Sequence, residues 1–172
     1  ERGTSRTTIF THWKEVEQVP EGWRLLAVGL DFGYTNDPTA IVKVFTDGHG
    51  YCLDEVCYSS GLLNTDICNI LRSAEIDKGD SIIADNAEPK SIAVIASQGF
   101  NVHPCRKGPD SIRAGIDFMR SKPLMITARS VNGIKELRNY KYKEDRNQKA
   151  LNTPVDAFNH FIDASRYAIT FN

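Results

Sequence analysis

RLLAVGLDFGYTNDPTAIVKVFTDGHGYCLDEVCY, residues 24–58, decides the fold. It opens on an unbroken apolar run, 24–32, closed off by turn residues, the pattern of a central strand buried on both faces. Residues 39–45, rich in β-branched side chains, predict a second strand. Asp47-Gly48-His49-Gly50 is a tight turn, because glycine accepts the positive φ such turns need. Residues 51–58 return as a third strand, which makes an antiparallel three-stranded meander.

Downstream the hydrophobic period changes. Residues 64–76 carry Ile67, Ile70, Leu71 and Ala74 at helical spacing. A short buried strand, 81–84, ends at Asp85, and a helix over 88–97 follows with Gly99 as its C-terminal cap. A strand at 100–104, a helix at 109–120 with proline near its start, a strand at 124–127 and a helix at 131–138 come next. Residues 140–153 alternate and turn around Arg146-Asn147, the pattern of an exposed hairpin, and 154–171 read as a closing helix. Residues 1–22 are a polar docking lead-in with scattered aromatics. The expected architecture is a single α/β domain over 1–172, a mixed sheet of the meander plus parallel strands, flanked by helices.

Composition removes other classes. The chain has 172 residues, 41% hydrophobic and 25% charged, with 7 Pro and 12 Gly, so it is neither disordered nor collagen-like. No apolar stretch approaches the ~20 residues of a membrane span. The start has no apolar leader and no initiator Met, which predicts a fragment or processed product. Cys52, Cys57, Cys68 and Cys105 form no CxxC pair and fit reduced, buried or half-buried thiols. Net charge is −1, yet residues 44–89 hold nine acids against two bases, and 106–149 hold twelve bases against five acids. That asymmetry suits a polyanion-binding face beside an acidic site, or simply an uneven solvated surface.

Three carboxylates fall at informative places: Asp31 ends the first strand, Asp85 follows the fourth, and Asp163 lies on the last helix. If the first and fourth strands are parallel neighbours, both strand-end aspartates emerge at one sheet edge, where a crossing helix can bring the third. Three such groups form a hard-oxygen site for Mg²⁺ or Mn²⁺, although a single strand-end Asp often only caps a turn. Asp156, His160 and Asp163 at i, i+4 and i+7 are expected on one helix face. From there His160 can order water, move a proton or bind metal. Asp31-Phe32-Gly33 matches a kinase triplet, but the glycine-rich loop, the strand lysine and the catalytic loop are absent, and no GxxxxGK[ST] occurs.

The strings GLDFGYTNDPTAIV (29–42), IIADNAEPKSI (82–92) and TPVDAFNHFIDASRYAI (153–169) together resemble the C-terminal nuclease domain of the large terminase subunit of tailed bacteriophages. The resemblance spans about residues 24–171 and implies a ribonuclease H-like fold. It also implies a metal-dependent endonuclease that cuts concatemeric viral DNA at packaging, with Mg²⁺ or Mn²⁺, in two-ion form, as cofactor. Asp31, Asp85 and Asp163 match the metal carboxylates and His160 the associated histidine. Double-stranded DNA, a packaging ATPase in the same full-length chain, the small terminase subunit and the portal protein are the implied partners, in the host bacterial cytoplasm and with no membrane. Arg106, Lys107, Lys141, Lys143 and Arg146 are the candidate phosphate contacts. A junction resolvase, a transposase core or a non-cleaving binding module are the alternatives.

Overall fold

The computed structural model describes residues 7–33, 36–106, 108 and 110–171. Its centre is the meander: β2 (Arg24–Asp31), β3 (Thr39–Thr46) and β4 (Tyr51–Ser59), paired antiparallel. Asp47 builds the β3–β4 turn by accepting the His49 and Gly50 backbone N–H groups at 2.9 Å, with Gly48 at φ 98°. On one side of the meander, β5 (Ser81–Ala84) lies parallel to β2 and β6 (Asn101–Pro104) parallel to β5. On the other, β7 (Leu124–Thr127) lies parallel to β4. The seventh strand is β1 (Lys14–Val16), parallel to β7 at the far edge, so the order is β1-β7-β4-β3-β2-β5-β6.

Alternation along the strands sorts the core into two layers, because successive side chains point to opposite faces. Ala40, Val42 and Val44 of β3 face the helices α3 (Ser111–Arg120), α4 (Val131–Asn139) and α5 (His160–Thr170). Val28, Leu30 and Ile41 face α1 (Asn64–Ser73) and α2 (Pro89–Ser97), where Ile67, Leu71 and Ile95 close the second layer. A two-stranded hairpin, β8 (Tyr142–Glu144) and β9 (Ala150–Pro154), stands apart from the sheet. The Asp145 carboxylate holds its tip through the Asn147 and Lys149 N–H groups.

Three expectations need correction. The lead-in does more than dock: it supplies β1 and buries Ile9 and Phe10, the latter stacked on Tyr140 at 6.2 Å. Tyr140 itself is buried as the C-cap of α4, so the hairpin begins only at Tyr142. The closing helix starts at His160, not at residue 154. Pro154 ends β9 opposite Tyr142, and Phe158 takes a φ of 54°, which turns the chain before the helix begins. Proline suits an edge strand as well as a helix start, and that ambiguity misled the sequence reading.

Candidate active site

The strand register does what the sequence demanded of it. Leu30 pairs with Ala84 across the parallel β2–β5 ladder, and the Asp85 N–H donates to the Leu30 carbonyl at 3.2 Å. Asp31 and Asp85 therefore leave adjacent strands at the same edge. Asp163 arrives on α5, which lies directly against β2. A Cβ at Gly29 would stand 1.7 Å from the Ala164 carbonyl oxygen, so only glycine lets the helix backbone come this close. Gly29 is two residues before Asp31, and Ala164 is next to Asp163, so this contact sets the spacing of the two carboxylates.

Asp31 is buried. Its Oδ2 lies 3.5 Å from His160 Nδ1, and its Oδ1 accepts from the Tyr167 hydroxyl at 3.2 Å. Burial pushes its carboxyl up to about 6, opposed by the His160 contact and reinforced by the Asp163 and Asp85 charges. The other ring nitrogen of His160, Nε2, is 3.8 Å from Asp37 Oδ1, a residue of the β2–β3 connection. Contact with Asp31 holds the imidazole above its ordinary value, outweighing burial. Asp163 is raised by burial, while Arg166 opposes through a bond from Nη2 to Oδ1 of 3.0 Å.

The start of α5 is fixed from a distance. Glu136 of α4 is buried, and its carboxylate accepts from the backbone N–H of His160 and of Ile162, both at 3.1 Å, and from the Tyr58 hydroxyl at 2.6 Å. The first N–H groups of a helix have no partner within it, and a carboxylate at that end satisfies them and meets the positive end of the dipole. Glu136 thereby sets where His160 and Asp163 stand.

The four acid-cluster residues read from sequence, Asp31, Asp85, Asp163 and His160, thus gather at one edge. Asp156 does not share their helix face: it lies in the preceding loop, exposed, and accepts from the Asn159 side chain at 2.8 Å. Among the described residues no three carboxylates, imidazoles or thiols stand close enough to hold a metal ion. The reason is visible in the contacts: Asp163 is turned to Arg166, and Asp31 to His160 and Tyr167.

The basic candidates split into two groups. Lys141, Lys143 and Arg146 are exposed along and beside the hairpin, and a cavity of about 440 Å³ lined by Thr153, Asp156, Tyr140, Arg113 and Asp163 opens between hairpin and site. Arg106 is exposed just past the end of β6, at the same sheet edge as Asp85, since Ala84 pairs with Pro104. Lys107 lies outside the described residues. Sequence reading missed Glu136, Tyr58, Tyr167, Arg166 and Asp37. Gly29 was the one available signal, as a glycine inside an otherwise apolar strand.

Comparison with known proteins identifies the fold and the family. Residues 31–170 match the family model described as a terminase RNAseH like domain. The chain is 34% identical over 148 residues to the large terminase subunit of Bacillus phage SPP1, covering 81% of this chain and 34% of that protein. It therefore spans about a third of the length of this curated relative. The crystal structure of the SPP1 g2p large-terminase nuclease domain with bound Mn superposes with a TM-score of 0.81 at 25% identity, covering 93% of this chain and 96% of that one. The large terminase nuclease of thermophilic phage G20c, solved with bound magnesium, shares the fold with a TM-score of 0.63 at 16% identity, covering 95% of this chain and 97% of that one. With an RNase H-like sheet, its strand-end aspartates in register and a family match that begins at Asp31 and runs to Thr170, this chain belongs to the terminase RNase H-like domain family, the nuclease domain of phage large terminases.

Proposed function

We propose that the chain is a divalent-metal-dependent endodeoxyribonuclease that cuts concatemeric viral DNA during genome packaging. The observation that carries this reading is the convergence of Asp31, Asp85, Asp163 and His160 on one sheet edge, with Asp31 driven up to about 6 by burial and by the two neighbouring carboxylates. Hard carboxylate oxygens that repel one another suit Mg²⁺ or Mn²⁺, which relieves the repulsion. Asp31, Asp85 and Asp163 would hold the metal, in a two-ion arrangement. Bound there, it would supply an activated water and neutralise charge at the scissile phosphate.

The chain's own residues do the rest. His160, backed by Asp31 at Nδ1 and open toward Asp37 at Nε2, is placed to carry a proton at the cleavage edge. Lys141, Lys143 and Arg146, along and beside the hairpin, and Arg106 at the β6 end, together with its sequence neighbour Lys107, hold the DNA backbone, which gives affinity without sequence information. The remainder of the full-length protein carries the packaging ATPase, and the small terminase subunit and portal protein are partners, in the host cytoplasm. No described helix is long and apolar enough to cross a membrane.

Plasmid nicking with Mn²⁺ tests the reading. Asp31→Asn, Asp85→Asn and Asp163→Asn are each expected to abolish cleavage while the fold persists, because Asn keeps the volume and loses the charge. His160→Ala should lose about 10²–10⁴-fold, the usual worth of a proton carrier. Full cleavage by the Asp31 or Asp163 variant would sink the proposal.

A further inference from the structure

Arg166 is a strange residue to find here. It sits on α5 one turn after Asp163, with 7% of its surface exposed, and its Nη2 donates to Asp163 at 3.0 Å. The side chain fits because Gly115 of α3 leaves room: a Cβ there would lie 2.7 Å from Arg166 Cδ. Its guanidinium carbon is 5.2 Å from the centre of the Tyr167 ring. Its Nε is buried and has no hydrogen-bond partner.

Stability does not account for this arrangement. Exposed i,i+3 pairs contribute little, and a buried pair is often no better than apolar side chains of the same volume. An unsatisfied buried N–H costs more still. Location is what distinguishes Arg166: its partner is the third carboxylate of the proposed metal site. Its charge offsets that of this one carboxylate.

We propose that Arg166 is the counter-ion of the metal-free site: it neutralises Asp163 and orients it until a divalent cation takes that carboxylate, and then releases it. This inference rests on the metal-nuclease reading. Arg166 is a positioning residue, acting through Asp163. It holds the acidic edge together without metal, and it also competes with the metal, since a cation at Asp163 must displace or face a buried positive charge.

The test uses the whole chain without DNA, so activity is not the readout. Arg166→Met keeps much of the apolar stem and removes the charge. Urea unfolding is compared for the variant and the unaltered chain, in EDTA and in saturating Mn²⁺, alongside calorimetric Mn²⁺ titration. The variant should lose much more stability in EDTA than in Mn²⁺. By linkage it should bind Mn²⁺ roughly tenfold tighter or more, because a like charge near the ion is gone. A variant that folds only with Mn²⁺ supports the proposal in the strongest form. Equal losses with and without metal, or equal Mn²⁺ affinity, would overturn it and make Arg166 merely structural.

Should the variant fold under neither condition, the unaltered chain still decides. The Arg166 Nε–H resonance should move as Mg²⁺ saturates the site, because the Asp163 bond is given up, and an unmoved resonance at saturation overturns the proposal. Failure of the unaltered chain to bind Mn²⁺ or Mg²⁺ at all would instead defeat the metal reading itself, and the counter-ion role with it.

Discussion

Changing Glu136 to Gln should loosen the site from the neighbouring helix. Glu136 accepts three hydrogen bonds, from Tyr58, His160 N and Ile162 N, and is buried. Gln keeps one oxygen. Left in the Oε2 position, that oxygen still serves Tyr58 and His160, while the new amide group faces the Ile162 N–H and cannot accept from it. One buried donor unmet costs about 1–3 kcal/mol. Loss of negative charge at the helix N-terminus adds about 0.3–1 kcal/mol. Against this, burial disfavours the ionised Glu136, so removing its charge returns part of the loss. The net expectation is about 2 kcal/mol, within the roughly 5–15 kcal/mol that a domain has in hand, so the variant folds.

The effect on chemistry should be larger than that on stability. A shift of about 1 Å in a reacting group costs about 10²-fold, and His160 and Asp163 are in the first turn that Glu136 holds. Urea unfolding and Mn²⁺-dependent nicking, measured on one preparation, separate the two effects. Tyr58→Phe should be milder, about 1 kcal/mol, since it removes one of three donors and leaves the helix end capped. Full nicking by Glu136→Gln, with its unfolding midpoint unchanged, would refute the reasoning: the helix start would then be held by something else.

Other consequences follow from the same hydrogen bonds and charges. Asp31, Asp163, Glu136 and His160 are all raised in the folded state, so the metal-free fold binds extra protons and loses stability as pH rises; for Asp31 that loss runs from about pH 4 to pH 6 and amounts to about 3 kcal/mol. Urea melts in EDTA across that window check the sign, Mn²⁺ should flatten the decline, and stability rising throughout would contradict it. Replacing Lys141, Lys143 and Arg146 together by Ala should lower the log–log salt slope of DNA binding by about 0.9 for each phosphate that is no longer neutralised, with the fold retained; an unchanged slope makes the hairpin a bystander. Gly29→Ala drives a Cβ into the Ala164 carbonyl, where backbone cannot yield, so a loss of about 3 kcal/mol or more is expected in thermal unfolding, with nicking lost in parallel.

The sheet was legible in the sequence because its signals are local. An unbroken apolar run, a β-branched run and an Asp-Gly turn are written within residues 24–58, and each needs nothing outside itself. Asp31 and Asp85 were legible for the same reason, as the residues where buried strands stop. What failed was non-local. Residues 154–159 carry a helix-like pattern with proline first, yet the backbone there belongs to β9 and a turn. Nothing in that segment announces Glu136, whose carboxylate meets the His160 N–H 24 positions away in sequence. Arg166 was invisible for a related reason: a basic residue on a helix reads as exposed, and only the Gly115 notch on α3 lets it lie inside.

The later helix start changes the chemistry. Had α5 begun at residue 154, Asp163 would sit in mid-helix, where backbone N–H groups are all engaged and the dipole has no effect. Beginning at His160, the helix puts both His160 and Asp163 in its first turn. There the partial positive charge of the N-terminus favours an anion within a turn's reach. The same positive end is shared by Glu136 from behind and Asp163 in front, each raised by burial. Arg166 adds a full charge one turn further on. The acidic edge is thus assembled with compensation from a helix end and a buried guanidinium. Only the second of these can be released without unfolding the helix, which is why Arg166, and not the helix N-terminus, is the positive group that a cation would displace.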